Sequence, residues 1–130
     1  MSYDNPFTAT YNFPNMDFGG SSGATVHKIC GPTGKKGRLK DVAVVISEAT
    51  VFASTLGHVQ IGSSSDADAY AKLNIPTASA NHAVINSADD TDAIIAPDIP
   101  ADSAVLVTLT EGTGASLAGQ GYPIVFIEWY

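Results

Sequence analysis

Residues 122–130 (YPIVFIEWY) constrain the fold of this chain more than any other stretch. β-Branched and aromatic residues alternate there with a period of two, which is typical of a strand packed on both faces. Its two faces carry Ile124, Phe126, Glu128 and Tyr130 on one side, and Val125, Ile127 and Trp129 on the other. So apolar a strand aggregates unless neighbours pair it on both edges. We therefore predict that it is a central strand of a sheet.

Other apolar runs supply the partners of this strand. The clearest are residues 39–47 and 104–110, and weaker ones bring the total to about eight short strands separated by Gly, Pro, Asn and Asp turns. Residues 63–74 differ, because serines precede acidic residues as at a helix N-terminus, and Pro76 follows. The sequence thus predicts an all-β, antiparallel β-sandwich with one short helix.

The first 23 residues show no helical or strand period. They contain five aromatic residues: Tyr3, Phe7, Tyr11, Phe13 and Phe18. Aromatic residues are common interface anchors, so we predict an extended N-terminal arm (1–23) lying on a neighbouring protein, joined at residues 19–23 to a sandwich domain (24–130). The alternatives are a tail folded over its own sheet or a disordered one.

Composition and charge limit the classes of partner that this chain is expected to bind. The net charge is −7, which argues against a nucleic-acid partner, and only 15% of residues are charged, which favours contact with other protein. Five of the six basic residues lie between positions 28 and 40, whereas eleven acidic residues follow from Asp41 onward. We expect one cationic and one anionic side; the alternative is a solvated basic turn. Without a signal peptide or a bilayer-length apolar run, we expect a soluble protein made in a cytoplasm, with no membrane partner.

None of the candidate chemical sites is convincing. Residues 31–37 (GPTGKKG) lack the spacing, the Ser or Thr, and the following helix of a phosphate-binding loop. The histidines have no neighbouring nucleophile signature, and the acidic run at 89–92 lacks the Gly and Glu of a calcium loop. The single cysteine, Cys30, allows no disulfide and is predicted to be a small buried side chain. We therefore predict no catalytic residue, metal or cofactor, and a protein that is not an enzyme.

Three stretches together resemble the jelly-roll decoration, or cement, proteins of tailed-bacteriophage heads. They are residues 31–41 (GPTGKKGRLKD) leading into a strand, 59–73 (VQIGSSSDADAYAKL), and 111–130 (EGTGASLAGQGYPIVFIEWY). The resemblance implies a jelly-roll-like β-sandwich, often trimeric, that sits on the outer capsid surface between major capsid subunits and stabilises the shell. It further implies a virion protein made in the cytoplasm of the bacterial host.

These observations lead to two sets of expected contact residues. Capsid or neighbouring-subunit contacts are assigned to Tyr3, Phe7, Tyr11, Phe13, Lys35, Lys36, Arg38 and Lys40. Self-association, as a trimer, is assigned to the sheet edges and to Ile124, Phe126, Trp129 and Tyr130. The alternative function is a receptor- or carbohydrate-binding sandwich of a phage head fibre or tail, because jelly rolls also include lectins.

Overall fold

The structure, a computed structural model, describes residues 6–19, 24–52, 54–114 and 117–130. These residues form ten strands: β1 (Phe7–Asn12), β2 (Met16–Asp17), β3 (Ala24–Cys30), β4 (Gly37–Val51), β5 (His58–Gly62), β6 (Ala71–Asn74), β7 (Val84–Asn86), β8 (Asp98–Ile99), β9 (Ala104–Thr110) and β10 (Ala118–Trp129). Among them there is no helix, and hence none long and apolar enough to cross a membrane.

The strands form two antiparallel sheets that pack face to face. One sheet has the order β1-β10-β4-β7, with β2 added to β10 and β8 added to β4, and the other has the order β3-β9-β5-β6. Apart from the two-residue strands, the pairing is nested: β1 with β10, β3 with β9, β4 with β7 and β5 with β6. This nesting is the topology of an eight-stranded jelly roll, which confirms the predicted fold class.

The terminal strand is central, as its sequence predicts. β10 pairs with β1 along one edge and with β4 along the other. Val125 and Ile127 are fully buried and Trp129 is 1% exposed, whereas Ile124, Phe126 and Glu128 on the opposite face remain half-exposed. In the facing sheet, alternate residues of β9 and β5 are also fully buried, namely Val105, Val107, Leu109, Val59 and Ile61. Each such side chain contributes roughly 1.5–3 kcal/mol by leaving water.

The described part of the predicted arm belongs to the sandwich. Residues 7–12 form β1 and pair residue by residue with positions 124–129 of β10. Phe18 is completely buried, and its carbonyl accepts a hydrogen bond of 3.1 Å from the Gly112 amide. Of the three interpretations of this segment (an arm on a neighbouring protein, a tail folded over its own sheet, or a disordered tail), the tail folded over its own sheet fits residues 7–18. Tyr3 and residues 20–23 of the predicted joint at 19–23 lie outside the described residues.

The predicted helix at 63–74 is wrong. Ser63 does cap the backbone as predicted, but it stabilises a turn and not a helix. In this turn the Ser63 amide donates to the Asp66 carbonyl at 2.8 Å, and the Asp66 amide donates to the Ser63 hydroxyl at 3.2 Å. The chain then becomes β6, where Ala71 and Leu73 are fully buried and alternate with half-exposed Lys72. Burial with a period of two against β5 outweighs the local capping signal.

Candidate binding surface

The basic residues singled out by the sequence cluster at one end of the sandwich. Residues 31–36, called here the cationic turn, join β3 to β4 and carry Lys35 and Lys36. The Lys35 amide donates to the Pro32 carbonyl at 3.2 Å, and Gly34 adopts a φ of 77°, which glycine tolerates without strain. The Gly34 amide also donates to the Asp102 carboxylate at 2.7 Å. The cationic turn is therefore held by its own backbone and by the loop before β9.

The buried indole of Trp129 supports the cationic turn from below. A Cβ on Gly31 would lie 2.4 Å from the indole ring, and one on Gly37 would lie 2.7 Å from it, so only glycine fits at either end of the turn. The indole N–H donates to the Tyr11 hydroxyl at 2.9 Å. Lys36 and Tyr130 exchange backbone hydrogen bonds of 3.0 and 2.9 Å. The turn is thus anchored on the core, with Lys36 exposed and Lys35 half-exposed.

Arg38 and Lys40, at the start of β4, extend the cationic surface. Arg38 lies 3.8 Å from the Asp98 carboxylate, with both side chains well exposed, and its guanidinium sits 5.5 Å from the Tyr130 ring centre. An exposed ion pair of this kind contributes only about 0–1 kcal/mol. Lys40 is exposed and is the extra residue of a β-bulge at which the register between β4 and β10 shifts by one residue. These basic side chains remain accessible to a partner.

A cavity of about 300 Å³ opens beside the cationic turn. Its wall includes Lys28, Cys30, Lys35, Asp102, Ser103 and the ring of Trp129. Cys30 is exposed there, so its predicted burial is wrong: it lies at the end of β3, on the face of the four-stranded sheet that points away from the core. The cavity adds Lys28 to the cationic surface.

The two edges of the four-stranded sheet carry different charges. Its edge strand β3 carries Lys28 and leads into the cationic turn, whereas the acidic loops that contain Asp66, Asp68 and Asp90 flank β6 at the opposite edge. Asp90 Oδ2 accepts hydrogen bonds from the Asn74 backbone and side-chain amides at 3.3 and 3.4 Å, which fixes its loop on β6. The two edges therefore differ in charge, but the separation that the charge pattern predicts is incomplete, because Asp98 and Asp102 contact the cationic surface and Lys72 lies on β6.

The aromatic residues expected to contact a neighbour take different places. Phe7 is 45% exposed at the start of β1. Tyr11 accepts the hydrogen bond from Trp129, and the Phe13 ring stacks on His27 with a centroid separation of 5.1 Å. Tyr11 and Phe13 therefore pack within their own chain, and Phe7 alone of the three presents a large exposed apolar area.

The residues assigned to self-association divide between the two faces of β10. Trp129 is 1% exposed and cannot contact a second chain, so that assignment is wrong. Ile124 and Phe126 lie on the outer face of the six-stranded sheet beside Tyr122, and Tyr130 is 38% exposed. Both edges of β10 are occupied within the chain, so a second copy has to use another strand edge or this outer face.

The three histidines lie apart from one another. His27 stacks on Phe13, His58 Nδ1 is 3.3 Å from the Leu56 carbonyl oxygen, and His82 lies in an exposed turn with a φ of 69°. Within the described ranges, no group of three His, Cys, Asp or Glu side chains is arranged to hold a metal ion. The acidic run instead supports its own loop, since Asp89 Oδ2 accepts the Asn86 amide at 3.0 Å.

We expect His58 to make the fold sensitive to acid. Burial lowers the pKa of His58, and Lys72 acts in the same direction, against the Leu56 hydrogen bond and Asp68. The unfolded chain therefore binds this proton more readily, so the free energy of unfolding falls as pH drops below about 6.5, down to the lower pKa of the folded state. Denaturant titrations at pH 7 and pH 5 measure how much the free energy of unfolding falls between these two pH values. This fall should be smaller for His58→Gln than for the unsubstituted chain.

The control for this comparison is Gln60→Asn, a non-titrating change at the next position on the same face of β5. It reports any loss of packing without removing an ionisable group. Equal losses in His58→Gln and the unsubstituted chain would contradict the prediction.

Comparisons of the chain with protein-family models, with curated proteins and with solved structures find no match.

Proposed function

We propose that this protein is a structural virion protein that binds between major capsid subunits on the outer surface of a phage capsid and stabilises the assembled shell. The observation that carries the proposal is a preformed cationic surface on an acidic protein. Lys36, Arg38 and Lys40 are exposed, and Gly37, between Lys36 and Arg38, packs against the buried Trp129 ring. A chain of net charge −7 that gathers five of its six basic residues at one end of the sandwich is suited to bind an acidic protein surface.

Rigid presentation of these lysines favours binding. The turn backbone is already fixed by the Gly34–Asp102 and Lys36–Tyr130 hydrogen bonds, so little backbone entropy is lost when a partner binds. Side-chain ordering remains the main entropic cost. The interaction therefore gains specificity and association rate from charge, and it weakens as salt is added.

Binding of this kind stabilises a capsid by mass action. A protein that binds the assembled lattice and not free subunits lowers the free energy of the lattice by its binding free energy. Many copies on one shell add their individual contributions, so a modest affinity for each site is sufficient. The proposed location is the outer capsid surface, reached after synthesis in the bacterial cytoplasm, and the proposed role is binding, not catalysis.

We expect charge reversal on the cationic surface to weaken capsid attachment by at least tenfold. Lys36→Glu combined with Lys40→Glu changes two exposed side chains and leaves the turn backbone intact. Occupancy on purified heads that lack the protein, measured by co-sedimentation between about 50 and 300 mM salt, should fall and lose most of its salt dependence.

The matched control is Lys72→Glu, which removes a lysine from β6 at the opposite edge of the four-stranded sheet. Its occupancy should stay close to that of the unsubstituted protein. Unchanged occupancy in the Lys36 and Lys40 variant would show that the turn is only solvated and would overturn the proposed interface.

The alternative, a carbohydrate-binding module, has less support from the geometry. Trp129 is the only tryptophan and is 1% exposed, so it cannot stack on a sugar ring. A glycan array tests the alternative directly. Specific glycan binding together with no attachment to heads would favour it over capsid decoration.

A further inference from the structure

One edge of the six-stranded sheet presents unpaired backbone groups in a regular row. β1 pairs with β10 along its inner edge, and no described residue pairs with its outer edge. The Phe13 amide donates to the Pro123 carbonyl at 3.2 Å, directly after the Asn12–Ile124 pair. Because hydrogen-bonding direction alternates along an antiparallel strand, odd-numbered residues bond to β10. Thr8, Thr10 and Asn12 therefore direct their amides and carbonyls outward.

This edge lacks the features that normally prevent pairing between chains. β1 (FTATYN) contains no charge, and its register with β10 runs without a bulge. The other edges differ: β3 carries Lys28, β7 at the opposite edge of the same sheet is only three residues long, and the far side of β6 is covered by the Lys72–Ala93 hydrogen bond and the Ala71–Ile94 bridge. An uncharged, regular, six-residue edge is a template for another strand.

We propose that β1 pairs antiparallel with β1 of a second copy of this chain, with Ala9 on the two-fold axis. In this register Thr8 faces Thr10 of the second copy and exchanges backbone hydrogen bonds with it. Phe7 faces Tyr11 of the second copy on the core side, and Ala9 faces Ala9. Threonine pairs and aromatic pairs across strands are among the favourable combinations. The two six-stranded sheets then form one continuous sheet.

Charge and exposure favour a second copy as the occupant. Two chains of net charge −7 repel each other at most surfaces, but an uncharged strand facing its own copy adds no like-charge contact. Phe7 is 45% exposed at this edge, and the ring of Tyr11 from the second copy would cover it. The contact is isologous, so the same residues supply both halves.

The pairing produces a dimer, and its test is independent of capsid binding. The first measurement is disulfide trapping of the full chain in a Cys30→Ser background, which removes the native exposed thiol. Facing Ala9 residues form a non-hydrogen-bonded pair with Cα atoms about 4.5 Å apart, within disulfide range. Ala9→Cys should therefore give a covalent dimer under mild oxidation.

Two control cysteines identify the interface. Thr8→Cys should not cross-link to itself, because Thr8 faces Thr10 and the two Thr8 positions are offset by two residues, roughly 7 Å along the strand. Val26→Cys, on the exposed edge strand β3, should also remain monomeric. Efficient trapping through Val26 but not Ala9 would overturn the proposal in favour of the β3 edge.

The second measurement removes one outward amide. Thr10→Pro deletes an N–H that makes no bond to β10 and that the proposed dimer uses, so the monomer should fold. Thr10→Val keeps the amide and the branched side chain and is the matched control. In sedimentation velocity from about 1 to 200 μM, Thr10→Pro should shift the dimer midpoint at least tenfold upward, and Thr10→Val should not. A monomer at every concentration, a trimer, or a dimer that persists in Thr10→Pro would overturn the proposal.

Discussion

Replacing Trp129 with alanine is expected to lower the free energy of unfolding by about 3–5 kcal/mol, among the largest effects of any single substitution in this chain. The indole is 1% exposed and fills the space between Gly31, Gly37 and the core. Since both glycines lack a side chain, neither can move in to fill the cavity. Guanidinium titration followed by far-ultraviolet circular dichroism measures the loss.

Tyr130→Ala is the matched control, because it truncates an aromatic residue at the next position. Tyr130 is 38% exposed, and its ring contacts Arg38, so its loss should cost below about 1 kcal/mol. Tyr11→Phe separates packing from hydrogen bonding, because it removes only the acceptor of the indole N–H, at a cost of about 1–3 kcal/mol. If Trp129→Ala cost no more than Tyr130→Ala, the indole would not anchor the turn.

The same substitution connects the core to the proposed binding surface. The cationic turn rests on the indole at Gly31 and Gly37, so removing the ring frees the backbone that positions Lys35 and Lys36. We therefore expect the folded fraction of Trp129→Ala to attach to heads less well than the unsubstituted protein. Charge reversal at Lys36 and Lys40 is expected to weaken attachment without destabilising the fold. The two variants therefore distinguish the effect of the position of the lysines from the effect of their charge.

The sequence predicts the fold best where the local pattern and the tertiary environment agree. In residues 122–130 the alternation is uninterrupted, and both faces are apolar enough to require partners on both edges. The sandwich and the central position of β10 follow from that pattern. The helix prediction failed at residues 63–74 because capping residues and a strand give conflicting signals there, and burial of Ala71 and Leu73 decides between them.

The candidate surface was only partly predictable. Clustered lysines are visible in the sequence, but the support that Trp129 gives to Gly31 and Gly37 depends on residues far apart in the chain. β1 was missed because Pro6, Pro14 and the scattered Asn residues suggest irregular structure. The signal that could have found it is the alternation of Phe7, Ala9 and Tyr11 with polar residues.

Phe18→Ala is the second substitution for which we expect a loss of about 3–5 kcal/mol. Phe18 lies in the segment that the sequence assigns to an arm, yet its side chain is fully buried in the core. Its amide donates to the Gly119 carbonyl at 2.8 Å, and its carbonyl accepts from the Gly112 amide at 3.1 Å. These bonds fix the backbone, so the alanine variant leaves a cavity that the chain cannot easily close.

Phe7→Ala provides the comparison within the same segment, because it removes the same ring from a position that is 45% exposed. Measured at a concentration low enough to keep the chain monomeric, it should cost below about 1 kcal/mol. A much larger loss of the free energy of unfolding for Phe18→Ala than for Phe7→Ala means that residues 7–18 are part of the cooperative unit. Deletion of residues 1–22 should then abolish cooperative unfolding, because it exposes the edge of β10. Equal, small losses would mean that this segment is an appendage that a partner, and not the core, holds in place.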